Sequence, residues 1–261
     1  MDAEEIRTWL RNDEMQPENV RVLEVDGRVA GYGDVWLDDG VELDMAAPGH
    51  WDVLLEWAEE RGRDAGLPRV RAFFPEGHEL EGILERSGYR YWRSSFHMRI
   101  DLDERPVAPP LPDGLELRPY RDEDAEALRA GLNEAFGQDP FFHAIGPGNF
   151  REFFLKARGT DLSLWQLAWD GDQLAGWALP WPCRGSDDTL GWVGNLGVRP
   201  AYRERGLGGA LLRRAFLALY DRGLRQVGLG VDAENPTGAL GLYERAGMQR
   251  ALRQDNWIKD L

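Results

Sequence analysis

Hydrophobic and polar residues change their spacing along the chain, most clearly in the second half. Short apolar runs bounded by turn residues have the length and composition of β-strands, whereas apolar residues at three- and four-residue spacing are typical of amphipathic helices. These patterns predict strands at 115–120, 163–169, 173–180, 189–198, 225–232 and 248–258, and helices at 122–136, 207–222 and 236–246. Because hairpins precede strand–helix–strand units, the order predicts an α+β fold with a mixed sheet.

The same succession of patterns occurs twice along the chain. Three segment pairs match in the same order: EVDGRVAGY (24–32) with AWDGDQLAGW (168–177), LLEWAEERGRDAG (54–66) with LLRRAFLALYDRG (211–223), and ILERSGY (83–89) with LYERAGM (242–248). The first pair predicts a hairpin with an Asp-Gly turn, and the second predicts a helix that ends at a glycine. Three matches in one order indicate a duplicated fold.

A proline-rich stretch, RPVAPPLPDG, separates the two copies. Proline removes backbone donors and favours extended chain, which is typical of a linker. The sequence therefore predicts a first domain at 1–104, a linker at 105–114 and a second domain at 115–261. Each domain is expected to contain a mixed, mostly antiparallel sheet flanked by helices.

Charge and composition narrow the possible functions. The 261 residues carry a formal net charge of −15, and an acidic surface repels phosphate backbones, so binding to nucleic acid is not expected. The single cysteine, Cys183, cannot form an intramolecular disulfide and is expected to be a buried thiol. The acidic N-terminus and the lack of a run of about 20 apolar residues predict a cytoplasmic protein that does not enter membranes.

Residues 199–212, RPAYRERGLGGALL, combine arginines and glycines between a predicted strand and a predicted helix. Gly206, Gly208 and Gly209 allow an anion to approach consecutive backbone N–H groups, and the helix dipole adds favourable potential. Arg203 and Arg205 can supplement that charge. The alternative is a glycine-rich turn with a solvated basic rim.

Two known phosphate-binding patterns do not match this loop. A Walker A loop requires Gly-Lys-Ser/Thr, which is absent, and Leu211 stands where the dinucleotide pattern needs its third glycine or alanine. A second match to the dinucleotide pattern, Gly228-x-Gly230-x-x-Ala233, lies inside a predicted strand and is not expected to bind a nucleotide.

The segments GNLGVRPAYRERGLGGALL (194–212) and GLGVDAENPTGALGLYERAGM (228–248) strongly resemble motifs of the GNAT superfamily of acyl-CoA-dependent N-acyltransferases. The resemblance covers 115–261 well and 1–104 only as a degenerate copy without the loop. It implies two tandem GNAT-like domains, of which the second is catalytic. It also implies acetyl-CoA as cosubstrate and no metal.

The resemblance assigns cofactor contacts to strand and loop residues. The pantetheine arm would follow the strand at 196–198, and the pyrophosphate would bind the backbone at 203–209. The implied cofactor-binding residues are Leu196, Gly197, Val198, Arg203, Glu204, Arg205, Gly206, Leu207, Gly208, Gly209 and Asn235. Asn235 precedes Pro236, and capping of the next helix is an equally good explanation of it.

The resemblance also implies a catalytic acid. Tyr243 occupies the position of the family tyrosine that protonates the leaving thiolate, although a tyrosine packed in the core is the alternative. A strand N–H, that of Val198, would hold the oxyanion. The strand at 189–198 contains no carboxylate, so the general base is unassigned. Candidates by residue type alone are Glu134, Asp139, His143, Asp232 and Glu234.

The acceptor is expected to be a primary amine of a small molecule or peptide. Five tryptophans on the strands of the second half are expected to pack mostly in the core, with some in an acceptor pocket: Trp165, Trp169, Trp177, Trp181 and Trp192. The two-repeat layout is similar to that of mycothiol synthases, which acetylate an amino-sugar thiol precursor. A non-catalytic acyl-CoA-binding or regulatory module is the other alternative. A monomer whose two copies form an intramolecular pseudo-dimer is expected.

Overall fold

The computed structural model describes residues 16–137, 142, 144–157, 159–183, 187–235 and 237–261. The chain forms two compact units. The first contains the N-terminal half up to His97, together with Val231–Pro236 and Arg250–Leu261, and the second contains Met98–Gly230 and Thr237–Gln249. Among the described residues, no helix is both long enough and apolar enough to cross a membrane.

The regular elements follow the predicted order. The strands are β1 (Val20–Val25), β2 (Arg28–Leu37), β3 (Val41–Ala46), β4 (Arg69–Pro75), β5 (Arg90–Asp101), β6 (Glu116–Pro119), β7 (Gln166–Asp170), β8 (Gln173–Trp181), β9 (Leu190–Val198), β10 (Gln226–Asp232) and β11 (Gln249–Asp260). The helices are α1 (Trp51–Asp64), α2 (Glu81–Arg86), α3 (Ala125–Phe136), α4 (Pro147–Phe150), α5 (Leu207–Asp221) and α6 (Ala239–Arg245). Every element predicted in the second half is present. Helix α4 and the turn after it were not predicted, because they are too short to show a period.

The first unit has the strand order β1-β2-β3-β4-β11-β5. Strands β1, β2 and β3 form antiparallel pairs, whereas β3 and β4 run parallel. Leu54, Leu55 and Ala58 of α1 are buried in a core that also contains Leu43 and Val70 of the strands. The helical spacing of these residues explains why α1 forms and which of its faces is buried.

The second unit has the strand order β10-β9-β8-β7-β6, antiparallel except for the β9–β10 pair. Helix α3 covers one face of this sheet, where Leu128 and Leu132 pack with Trp177. Helix α5 covers the other face, where Leu211 approaches Gly176. Neighbouring residues of a strand point to opposite faces, so β8 contributes to both layers. The fold is therefore a mixed, largely antiparallel sheet flanked by helices, as predicted.

The last strand of the chain, β11, belongs to the first unit of the structure, whereas the predicted domain boundaries place it in the second domain. β11 pairs antiparallel with β4, from Gln254 opposite Pro75 to Asp260 opposite Arg69. Lys259 on this strand also contacts Glu59 of α1, with 2.7 Å between Nζ and Oε1. The domain boundaries at 104 and 115 describe the order of the repeats along the chain, whereas backbone pairing places the last strand in the first unit.

The proline-rich segment between the copies is attached to the second unit. The Arg105 guanidinium donates two hydrogen bonds to Asp221 at the end of α5, with N–O distances of 2.9 and 2.8 Å. Arg214 of α5 donates to the carbonyl of Pro109 at 3.0 Å. Cys183 forms no disulfide and is only half-buried, so the expectation of a buried thiol was wrong.

Candidate active site

A gap between β9 and β10 is the central feature of the second unit. The two strands pair in parallel for only three residues, from Leu190 opposite Gln226 to Trp192 opposite Gly228. Beyond Trp192 the register of β9 against β8 also shifts, so that Gly194 is an extra residue in a β-bulge. A bulge bends a strand and disrupts its pairing, and bulges are common beside active sites. The rest of β9 therefore has one edge without a paired strand.

Backbone groups at this edge can be assigned from the alternation of the strand. The N–H of Arg199 donates to the carbonyl of Ala175 on the β8 side, at 3.0 Å. Successive residues of a strand direct their backbone groups to opposite edges. The N–H groups of Leu196 and Val198 therefore face the gap. Gly197 alternates with them, and a Cβ there would overlap the Trp177 ring, so this glycine is required for packing.

The glycine loop follows β9 directly and leads into α5. Glu204 and Gly206 have left-handed backbone, with φ of 62° and 82°, and Gly206 caps α5 without a side-chain hydrogen bond. The first hydrogen bond to this cap runs from the N–H of Ala210 to the carbonyl of Gly206. The N–H groups of the three residues before Ala210 have no intrahelical acceptor. They form the candidate anion site, at the start of a 15-residue helix.

The two arginines of the loop differ in role. The Arg203 side chain turns back, donating from Nε to the carbonyl of Val198 at 3.2 Å and from Nη2 to the carbonyl of Ala135 at 2.8 Å. The guanidinium therefore holds the loop against β9 and α3, and the contribution of its charge to the anion site stays a prediction. Arg205 is exposed and, within the described part of the chain, donates to the carbonyl of Asp113 at 3.4 Å.

Helix α6 packs beside the anion site and carries Tyr243. The Leu242 side chain lies 3.4 Å from where a Cβ on Gly208 would stand and 3.6 Å from the same position on Gly209. Tyr243 is 8% exposed, and burial raises its pKa to about 12. Burial alone shifts this pKa, and among the described residues the hydroxyl has no hydrogen-bond partner. The hydroxyl is therefore protonated at neutral pH and, within the described part of the chain, available to donate.

The structure narrows the choice of general base. Glu134 forms an ion pair with Arg199, at 2.6 Å between Oε2 and Nε, and Asp232 forms one with Arg93. Each carboxylate is therefore held by an arginine, which disfavours it as the general base. Glu234 is exposed, and its N–H donates to Asp232. The remaining candidates, Asp139 and His143, lie outside the described residues.

Asn235 lies in the segment that belongs to the first unit, and its N–H bonds to the carbonyl of Asp232 at 3.2 Å. Its contact with the cofactor stays a prediction. Pro236 lies outside the described residues, and α6 begins only at Ala239 after Gly238, so Asn235 is not the cap of that helix.

Asn195 is a polar residue at the gap that the sequence analysis missed. The indole Nε1 of Trp177 donates to its Oδ1 at 2.7 Å, which fixes the side chain. The residue follows the bulged Gly194, whose own Cβ would lie 2.8 Å from the Trp181 ring. A lone asparagine next to a glycine in an apolar strand was the available signal.

The tryptophans of the second half fall into two groups. Trp165, Trp169 and Trp177 belong to the hydrophobic cluster under α3, which confirms that most pack in the core. Trp181 and Trp192 stand opposite each other on β8 and β9, outside that cluster, where the gap begins.

Comparison with known proteins identifies the class to which this fold and loop belong. The acetyltransferase (GNAT) family matches residues 126–248, and the chain belongs to this family. It is similar to a mycothiol acetyltransferase of Geodermatophilus obscurus, with 32% identity over 92% of this chain and 81% of that relative. Another, from Actinosynnema mirum, is 36% identical over 72% of this chain and 62% of its own length. The structure of a GCN5-related N-acetyltransferase from Sphaerobacter thermophilus matches 99% of this chain and 85% of its own, with 29% identity and a TM-score of 0.80.

Proposed function

We propose that this protein transfers an acetyl group from acetyl-CoA to a primary amine of a small molecule or peptide. The observation that carries the proposal is the uncapped start of α5, which presents three backbone N–H groups beside an unpaired strand edge. The strand edge of β9 leads directly into the anion site. This arrangement suits a ligand that has a pyrophosphate at one end, for the anion site, and amides along an extended arm, for the strand edge. Helix α6 brings an unengaged phenol to the same unit.

The donor would be held by backbone more than by side chains. The N–H groups of Leu207, Gly208 and Gly209 would bind the pyrophosphate, with Arg205 as the nearby exposed cation. Leu196 and Val198 would bond the pantetheine arm along the gap. Arg203 would act indirectly, by holding the loop in place. Bound acetyl-CoA supplies the activated thioester.

The chemistry is direct attack in this proposal. The neutral amine nitrogen forms a bond to the thioester carbon while a gap-facing N–H of β9, that of Leu196 or Val198, stabilises the oxyanion. Collapse of the intermediate breaks the carbon–sulfur bond, and Tyr243 donates its proton to the departing sulfur. The amide nitrogen releases a proton to water, and Tyr243 regains one from solvent. General acid catalysis of this kind contributes about 10²- to 10⁴-fold.

One experiment also tests two alternatives to this proposal, a narrower acceptor and a function without catalysis. The similarity to mycothiol acetyltransferases favours an amino-sugar thiol precursor as acceptor. Glu134 and Asp232 are held in ion pairs and are therefore poor candidates for the general base, which favours a module that binds acyl-CoA without turnover. A thiol-release assay with acetyl-CoA and a panel of amines, including that precursor, distinguishes the three. If CoA binds but no amine of the panel causes thiol release, the enzymatic proposal is contradicted.

The pH dependence of turnover tests the role of Tyr243. A general acid works only while protonated, and burial raises its pKa from 10.0 to about 12. The protonated form therefore persists to higher pH than for an exposed tyrosine, and kcat is expected not to fall between about pH 8 and pH 10.5. The measurement is kcat at saturating acceptor across that range, with circular dichroism to confirm folding. A decline in kcat with an apparent pKa of 10 or below that Tyr243→Phe abolishes contradicts the effect of burial on this pKa, because the hydroxyl would then lose its proton at its ordinary pKa.

We propose further that the first unit does not bind the donor. Its helix α1 begins at Trp51, whose indole is 6% exposed and donates to Glu79 at 2.8 Å. The adjoining cavity of about 490 Å³ is lined by Asp52 and Glu79 as well as Arg86. The Trp51 indole blocks the access of an anion to the backbone N–H groups at the start of α1. The carboxylates of Asp52 and Glu79 also repel a polyanion such as CoA.

Calorimetric titration with CoA is accordingly expected to give one site per chain. Gly208→Val in the second unit should remove that site completely, because the first unit offers no substitute. A stoichiometry near two, or residual tight binding in a folded Gly208→Val protein, contradicts the proposal.

A further inference from the structure

Trp192 closes the inner end of the gap between β9 and β10. It is the last residue of β9 that pairs with β10, directly opposite Gly228. Its indole leans across β10, and a Cβ on Gly228 would lie 2.6 Å from ring atom Cζ3. A Cβ on Gly230 would lie 3.9 Å from Cζ2. The ring therefore extends along β10 from the paired region into the gap, and it is only 7% exposed.

Glycine at two positions of β10 is explained by this indole. Gly228 and Gly230 lie on the same face of the strand, and neither has left-handed backbone. A side chain at Gly228 would collide with the ring, so the glycine provides space for it. The sequence match to a dinucleotide pattern thus has a packing origin.

The direction of the gap determines which part of the donor meets this ring. The anion site follows the C-terminal end of β9. The Trp192 ring reaches the level of Gly230, two residues and roughly 7 Å of strand beyond the pair of Trp192 and Gly228. A thioester held at the N–H of Leu196, the gap-facing donor nearer to the ring, directs its acyl chain towards the closed end. Each carbon added to the acyl chain therefore brings it closer to Trp192.

We propose that the Trp192 indole forms the end wall of the acyl pocket and restricts the donor to short acyl groups, with acetyl preferred. This inference rests on the proposed acyl-CoA binding at the second unit. The buried ring lies so close to Gly228 that even a Cβ there would overlap it, so the ring cannot move towards β10 to make space. Forcing extra methylene groups into a filled site is unfavourable, because the surrounding side chains must leave their preferred positions.

The test compares donor binding without any acceptor. Dissociation constants for CoA, acetyl-CoA, butyryl-CoA and hexanoyl-CoA are measured by calorimetry for the wild type, Trp192→Ala and Trp192→Phe. The wild type is expected to bind butyryl-CoA about tenfold or more weakly than acetyl-CoA. Trp192→Ala should reduce that ratio to about twofold or less, with Trp192→Phe between the two, while the affinity for CoA itself is unchanged.

Trp169→Ala is the matched control. Trp169 lies on β7 in the same unit and is also 7% exposed, but it packs in the cluster under α3. Its loss should leave the ratio of butyryl-CoA to acetyl-CoA affinity at the wild-type value.

The outcomes separate this inference from the proposed function. A wild type that binds neither CoA nor acetyl-CoA contradicts the proposed function itself. A wild type that binds acetyl-CoA and butyryl-CoA equally, or a ratio that is the same in wild type and Trp192→Phe, overturns the assignment of Trp192. Trp192→Phe decides the question if Trp192→Ala does not fold.

Discussion

Gly208→Val is expected to weaken CoA binding by about 100-fold or more while the protein stays folded. Gly208 is the second residue of α5, where its N–H is free for an anion. A valine side chain blocks the approach of the pyrophosphate to several consecutive N–H groups. Hydrogen bonds from such groups to a charged ligand contribute about 1.5–3 kcal/mol each, and 1.4 kcal/mol corresponds to tenfold in affinity. Calorimetry with CoA measures the effect.

The surroundings of Gly208 make this substitution a test of binding more than of folding. Its backbone is helical, and an added Cβ meets nothing nearer than the Leu242 side chain at 3.4 Å. Gly206 is the poorer choice, because its φ of 82° strains any other residue. Gly208→Ala serves as the graded partner, with an intermediate loss of affinity expected. Unchanged CoA affinity in a folded Gly208→Val protein contradicts the anion site.

Tyr243→Phe is expected to lower kcat by about 100-fold or more and to leave the dissociation constant of acetyl-CoA unchanged. The hydroxyl acts on the leaving sulfur, so its contribution appears in the transition state and not in ground-state binding. Removing one oxygen keeps the buried ring, so packing on α6 is preserved. Steady-state kinetics and calorimetry together measure the two effects.

Tyr220→Phe is a suitable control for that experiment. Tyr220 lies at the end of α5, where the Arg225 guanidinium stacks 3.8 Å from its ring centroid. Loss of its hydroxyl should not change kcat. Wild-type turnover in Tyr243→Phe would remove this residue from the mechanism and leave a water molecule as the proton source.

Local sequence patterns predict most elements of the fold and two parts of the candidate site, the glycine loop and the helix that carries Tyr243. The periods of apolar residues predict the strands and helices of the second half, because burial of one face requires that spacing. The glycines at 206–209 mark the start of α5, since left-handed backbone and close approach of an anion both favour glycine. The motif around Tyr243 locates α6 in the same way. These signals act within about ten residues of chain.

Only the tertiary structure decides how distant residues are used. Arg203 is adjacent to the glycines in sequence, but carbonyls of Val198 and Ala135 take its guanidinium. Glu134 and Asp232 qualify as bases by type, yet arginines from elsewhere in the chain neutralise them. Packing between segments that are distant in sequence sets these pairings.

The same distinction holds for the last strand and for the closed end of the gap. β11 follows α6 directly in sequence, but seven backbone pairs with β4 place it in the first unit. Gly228 and Gly230 match a nucleotide pattern in the sequence, and only the position of the Trp192 ring shows why they are glycine. Local spacing determines which elements form, whereas pairing and packing between distant segments determine which side chains remain available for chemistry.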